Sequence, residues 1–401
     1  MQIAEKVERT ERRELRRRQV RRRRLTALGV LGVLAGAAVF GIVQLAIGSA
    51  GAVVLTPVAA AAPRSPFRAA LPEEIRGVHV TMDLASVPGK IAQYLALKRD
   101  GLNTLEIDVK DESGTVGFVS GAPAIAVHDG AARPFYDPRA VARETHQAGV
   151  YLIGRVVTFE DPITSAAHPA LAVYRSDGSL WHTNGGLGWL NPYSRAAWTY
   201  DVDVAVAAAK AGFDEIQFDY VRFPSDGDVS IIRYPGAHTQ PEQQTVAAFL
   251  RYAASRLHPL GVRVSADVFG LSATHDLGIG QYPAQIGKVV DTVYPMTYPS
   301  HYRSGEYNLP DPNAAPGKTV SDSLADFRTQ LAGTGALLVP WLQDFSLGRT
   351  YHPADVAAQI AAARSFHTGG FMLWNAGGIY TTNALRADRP PPLPAVAVPT
   401  L

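Results

Sequence analysis

The sequence predicts an α/β protein, a (β/α)8 TIM barrel preceded by one N-terminal transmembrane helix. Three observations predict it. Eight short strand-like runs alternate with Ala- and Leu-rich helical stretches over about 310 residues, close to the size of such a barrel with insertions. Several of those runs are apolar on one face and polar on the other, with a carboxylate or an aromatic residue at the end. Finally, residues 25–63 carry no charge and directly follow an arginine-rich block.

The chain has 401 residues, 47% hydrophobic and 18% charged, an ordinary globular composition. Its net charge of +2 hides a split, because residues 1–24 hold eleven Lys and Arg against four Glu and the remainder is therefore acidic. The body thus offers no nucleic-acid surface. There is no cysteine, which excludes disulfides, thiolate metal sites and a cysteine nucleophile. Residues 1–24 read as a basic cytoplasmic segment. Residues 25–47 read as a transmembrane signal anchor, since about 20 apolar residues suffice to span a bilayer. The basic block keeps the N-terminus in the cytoplasm and sends the barrel across the membrane. Cleavage near Ala60 or Ala62 would instead release a secreted protein, but the apolar run exceeds that of an ordinary signal peptide. Residues 48–75, with Pro57, Pro63, Pro66 and Pro72, read as an Ala/Pro-rich linker. Residues 76–388 form the expected barrel and 389–401 a Pro-rich tail.

In order, the predicted strands are Gly77–Thr81, Thr104–Val109, Tyr151–Val157, Glu215–Val221, Val262–Val268, Thr292–Met296, Leu337–Leu342 and Phe371–Trp374. Helical stretches fall between them at Lys90–Arg99, Pro138–Ala148, Arg195–Ala211, Pro241–Leu257, Val320–Leu331 and Pro353–Ser365. An open doubly wound sheet is the competing architecture, but no Gly-rich phosphate turn follows the first strand. The longest insertion, residues 158–192, carries Trp181, His182, Asn184, Trp189 and Asn191, a composition that suits a binding loop or lid.

Inward residues at the C-terminal ends of barrel strands build the active site. Strand four ends its polar row at Asp219, and strand five ends the same row at Asp267. Neighbouring strands run about 4.8 Å apart, so these two carboxyls are expected side by side. Glycoside hydrolysis needs such a pair, about 5 to 5.5 Å apart for retention and about 6.5 to 9.5 Å for inversion. Asp219 and Asp267 are therefore the candidate catalytic residues. Strand two adds Asp108 and Lys110, strand three Arg155, and the segment after strand four Arg222, the two arginines being expected to hold carboxylates. Tyr294, Tyr298 and His301 around strand six, Trp341 and Gln343 on strand seven, and Trp374 and Asn375 on strand eight complete the expected substrate-binding set. The aromatic members, with Trp181 and Trp189, would offer faces to the C–H surfaces of sugar rings. The expected partner is a carbohydrate, and no cofactor or metal is expected. None of the eleven histidines forms an H-x-H, H-x-x-x-H or H-E-x-x-H pair, against a metal-dependent deacetylase, and no G-x-S-x-G elbow marks a serine hydrolase.

The run from Gly188 to Gly227, GWLNPYSRAAWTYDVDVAVAAAKAGFDEIQFDYVRFPSDG, resembles the putative bacterial glycosyl hydrolase domain, a barrel family first catalogued as a domain of unknown function. LEIDVKDESG at Leu105–Gly114 and VYPMTYPSHY at Val293–Tyr302 support the resemblance, which extends from Arg76 to Tyr380. It implies a TIM-barrel hydrolase distantly related to the α-amylase-like glycosidases, with Asp219 at their nucleophile position. Those enzymes carry an Arg where this chain has Gln217 and a Glu where it has Asp267, so Asp108 and Asp344 stay alternatives for the acid/base. The non-enzymatic alternative is an inactive anchored carbohydrate-binding barrel.

Overall fold

Eight parallel strands carry the alternation read from the sequence, and in the computed structural model, which describes residues 67–236 and 238–385, they close on themselves. They are β1 (Ile75–Val80), β2 (Thr104–Lys110), β3 (Tyr151–Val157), β4 (Glu215–Asp219), β5 (Arg263–Phe269), β6 (Thr292–Met296), β7 in two pieces (Leu337–Leu338 and Trp341–Gln343) and β8 (Gly370–Trp374). β8 pairs with β1 through Ile75↔Gly370 and Val78↔Leu373, so the barrel has no open edge. Gly370 permits that closure: its φ is 129°, and a Cβ there would stand 2.1 Å from the Ile75 carbonyl oxygen.

The outward residues are apolar because helices cover them. Val78, Ile107, Ile216, Phe218 and Val264 share one buried cluster with Val141, Val204, Phe249, Leu324 and Ile360 of the helices. Each large side chain so buried contributes about 1.5–3 kcal/mol. The helices are α1 (Lys90–Leu95), α2 (Pro138–Gln147), α3 (Arg195–Ala211), α4 (Glu242–Leu257), α5 (Pro283–Ile286), α6 (Pro316–Leu331) and α7 (Pro353–Ser365). Their starts follow local chemistry. Ser194 caps α3 by accepting from Ala197 N, and Asp137 caps α2 ahead of Pro138. Gly212 ends α3 at φ 123°.

Three boundaries differ from expectation. β4 ends at Asp219 because Tyr220 takes a left-handed φ of 50°, which no strand continues. β7 is split at Pro340, which has no N–H for the ladder, although its carbonyl still accepts from Met372 N. Residues 67–74, inside the stretch read as linker, close the N-terminal end of the barrel. There Arg68 donates to the carbonyls of Ala209 and Leu260 (2.8 and 2.7 Å), Arg263 donates to Ala69 O, and Leu71 packs beside Ile75 and Tyr151. The expected transmembrane segment 25–47 and the tail 389–401 lie outside the described residues. No helix among the described residues is long and apolar enough to cross a membrane.

Candidate active site

The inward, polar half of the alternation converges at the C-terminal ends of the strands on a cavity of about 590 Å³. Asp219, Asp267, Arg155, Arg222, Tyr298, His301, Trp341 and Trp374 line it, as the sequence led one to expect. Phe218 pairs with Ala266 in the β4–β5 register, and one step further sets Asp219 beside Asp267.

The two carboxyls have different neighbours. Arg155 donates to Asp219 Oδ2 through Nε (3.0 Å) and Nη2 (2.7 Å), and Tyr220 N donates to Oδ1 at 2.7 Å. The left-handed turn at Tyr220 thus aims a backbone donor at the carboxylate, a strained conformation of the kind found at reactive sites. Asp267 Oδ1 accepts from the Gln217 amide and from Trp341 Nε1 at 2.7 Å. Gln281 braces the strand end, donating to Asp267 O and accepting from Phe269 N. Burial, reinforced by the negative charges of Asp219 and Glu106, pushes the Asp267 carboxyl well above the usual carboxylate range, against the weaker pull of Arg155.

A charged network stands behind Asp219. Arg155 also donates to Asp108 Oδ1 at 2.8 Å and to Glu112. His79 meets Glu106 at 2.6 Å, lies 3.6 Å from Asp108 and stacks on Trp374 at 4.4 Å. Burial opposes the charge on His79, but Asp108 and Glu106 outweigh it and push the imidazole up to about 9. Burial likewise opposes the Asp108 carboxylate, and His79 and Arg155 together bring it down to about 2.

Several expected site residues are elsewhere. A register shift in the β2–β3 ladder between Asp108 and Lys110 turns Lys110 outward. Its ammonium is buried between Asp161 and Asp201, 2.8 Å from each, where it pins the 158–192 insertion and α3 to β2. Asp108 is behind Arg155 and does not line the cavity. Tyr294 is sealed below it beside Glu215. Gln343 binds the loop, donating to Phe345 O and accepting from Ser300 N. Asn375 closes a turn, accepting from Gly377 N. Asp344, the other acid/base alternative, accepts twice from Thr381 and does not line the cavity. Trp181 and Trp189 pack edge to face at 6.4 Å inside the insertion and offer no sugar platform. Arg222 makes no ion pair among the described residues and is enclosed by aromatic rings instead.

His79, Glu112 and Glu160 were not singled out from the sequence. His79 was accessible by parity, since Val78 and Val80 flank it. Glu112 and Glu160 lie past the ends of β2 and β3, where strand alternation gives no signal. Burial first, with Glu112 and Asp219 adding and Arg222 opposing, lifts Glu160 to about 7.

A family profile described as a putative glycosyl hydrolase domain matches residues 77–380. A solved hypothetical protein from Ruminiclostridium thermocellum is 35% identical over 48% of this chain and 97% of its own, with a TM-score of 0.44. The PgaB (BpsB) glycoside hydrolase domain from Bordetella bronchiseptica aligns over 76% of this chain and 95% of its own, at 14% identity and a TM-score of 0.53, a likeness of fold. The C-terminal domain of a putative chitinase from Desulfitobacterium hafniense aligns over 78% and 97%, at 12% identity and a TM-score of 0.47. No curated protein matches the chain.

Proposed function

From the premise that this chain belongs to the putative glycosyl hydrolase domain family, we propose that it hydrolyses O-glycosidic bonds of a poly- or oligosaccharide with Asp219 and Asp267 as the reacting carboxyls. One observation carries the reading: two inward carboxyls at the ends of adjacent strands, one matched by a guanidinium and the other kept protonated by burial. Asp267 gives its proton to the leaving oxygen as the C–O bond breaks, and Asp219 bonds to the anomeric carbon. Asp267, now ionised, then takes a proton from water as the water oxygen displaces Asp219 and restores both groups. The spacing of neighbouring strands, about 4.8 Å, favours the retaining class, whose carboxyls sit about 5 to 5.5 Å apart.

The surroundings support these roles. Tyr298 lines the cavity, and burial holds its hydroxyl protonated as a donor for substrate. Trp374, partly exposed and backed by His79, is the platform for a sugar ring. Trp341 acts through its indole N–H on Asp267. The charge-free run 25–47 behind the basic block supports an uncleaved anchor, with the barrel outside the membrane.

The test is a panel of α- and β-linked polysaccharides, with the first-formed product anomer followed by proton NMR. Cleavage of one linkage class with retained configuration is expected. An inverted first product would remove Asp219 as nucleophile. Saturable binding of a glycan without cleavage of any panel member would turn the reading to a carbohydrate-binding barrel.

A further inference from the structure

Arg222 is a buried charged residue of the cavity wall that the proposed mechanism leaves without work. Its side chain is held in one place. The guanidinium carbon lies 4.7 Å from the ring centroid of Tyr220, 4.9 Å from that of Phe269 and 5.0 Å from that of Trp189. Nη1 donates to Phe223 O at 3.2 Å and to Ser225 Oγ at 2.9 Å. Nε and Nη2 make no hydrogen bond among the described residues, and neither is sealed from solvent. The residue is 7% exposed.

A buried guanidinium is normally paired, because removing its charge from water is costly unless an opposite charge replaces the water. Arg155 obeys that rule with three carboxylates, and their pull outweighs its burial. Arg222 does not. Burial lowers its proton affinity, and the carboxyls nearest in charge, Asp219 and Glu160, are too far for ion pairs. Asp219 is already engaged by Arg155, and Glu160, lifted by burial to about 7, supplies only part of a negative charge at neutral pH. The free edge is Nε with Nη2, the same edge by which Arg155 grips Asp219 and the one that fits an oxyanion as a two-pronged fork. Arg303, on the same wall, adds positive charge.

We propose that the Nε/Nη2 edge of Arg222 binds an oxyanion carried by the sugar, so that the substrate is an acidic glycan. The planar fork matches a carboxylate, as on a uronic acid, and a sulfate ester presents the same chemistry. This inference rests on the glycosidase reading for the sugar and on Arg222 alone for the charge.

Direct binding to the full chain tests it without requiring turnover. The probes are the methyl glycoside of glucuronate, its neutral methyl ester and a glucose sulfate, titrated calorimetrically into wild type, Arg222→Gln and Arg222→Lys. An anionic probe is expected to bind wild type about tenfold or more tighter than the ester, with the preference falling as salt rises. Arg222→Gln should bring acid and ester together, and Arg222→Lys, a point charge without the fork, should keep part of the difference. Whichever of carboxylate and sulfate binds tighter names the source of the anion. Equal affinity of acid and ester in wild type overturns the proposal even where a variant fails to fold, as does an acid preference that survives in a folded Arg222→Gln. Acid preference without cleavage of any glycoside would sink the glycosidase reading and leave the anion site standing. Cleavage with no acid preference would do the reverse.

Discussion

On the β1–β4 side of the barrel mouth buried carboxyls meet cations, whereas on the β5–β7 side Asp267 meets an amide and an indole. Arg155 joins Asp108, Glu112 and Asp219, and His79 lies between Glu106 and Asp108. Burial acts against charge on both sides. On the first, opposite charges overcome it at Asp108, which is brought down to about 2, while Glu106 stays raised by burial despite His79 and Arg155. On the second, the nearest partners of Asp267 are Gln217 and Trp341, and burial wins. In the proposed mechanism these neighbours divide one residue type into a charged role and an acidic role, as pairs of catalytic carboxyls require.

The largest effect should come from removing that division at its charged end. Asp219→Asn is expected to lose roughly four orders of magnitude or more in kcat, since an amide neither forms the glycosyl intermediate nor stabilises the developing positive charge. Asp267→Asn should behave differently. Substrates with good leaving groups need little protonation, so the first step largely survives while the base-assisted second step slows. Azide, which needs no base, should rescue Asp267→Asn and yield a glycosyl azide of retained configuration. Near-normal turnover by Asp219→Asn on a substrate of the wild type would send the search for the reacting pair elsewhere in the cavity.

The cationic side should also show itself in stability. His79 is raised from 6.5 to about 9, so the native state holds an extra proton between those values. Its contribution is complete below about 6.5 and is lost as pH rises through about 9, reaching up to about 3 kcal/mol at 1.36 kcal/mol per unit. Asp108, lowered from 3.8 to about 2, runs the other way: its contribution is present above 3.8 and lost as pH falls through 2. Urea unfolding of wild type and His79→Gln at pH 6, 8 and 10 should show the stability gap narrowing as pH rises. A gap constant from pH 6 to 10 would mean that the imidazolium does not hold the network together.

How much of this was legible in the sequence follows the same line. Period-two alternation reports only which way a strand residue faces, and it reports that well: Asp219, Asp267, Arg155, Trp341 and Trp374 all reach the cavity wall. It fails where the period breaks. One register shift sends Lys110 from the expected inner face into a buried cluster with Asp161 and Asp201. Residues beyond the strand ends follow no period, so Glu112 went unseen and Asn375, bound up in a turn, was placed on the wall, as was Gln343, the last residue of β7, whose amide is taken up by loop contacts. Trp181 and Trp189 show that aromatic content marks a loop as packed before it marks it as binding. Arg222 was read correctly as a residue of the mouth and wrongly as a partner of carboxylates, because sequence gives position along the chain and not the counter-charge within reach.

The comparison can be sharpened at Gln217, the uncharged side chain that meets Asp267. The Gln217 amide donates to Asp267 Oδ1 without bringing a charge. Gln217→Arg would place a fixed cation there and give the β5–β7 side the character of the β1–β4 side. An adjacent cation favours the ionised form and lowers a carboxyl's pKa by about 1 to 3 units. Asp267 must carry its proton to protonate the leaving group, so the alkaline limb of kcat/KM should move to lower pH by about one unit or more, costing about tenfold per unit on that limb. Gln217→Met, which removes the donor without adding charge, should move the limb upward, because a hydrogen bond to the carboxylate is lost. Substrates with activated leaving groups should respond least to both changes. If neither substitution moves the alkaline limb while both proteins fold, the group titrating there is not Asp267, and Glu160, lifted to about 7 nearby, becomes the acid to test.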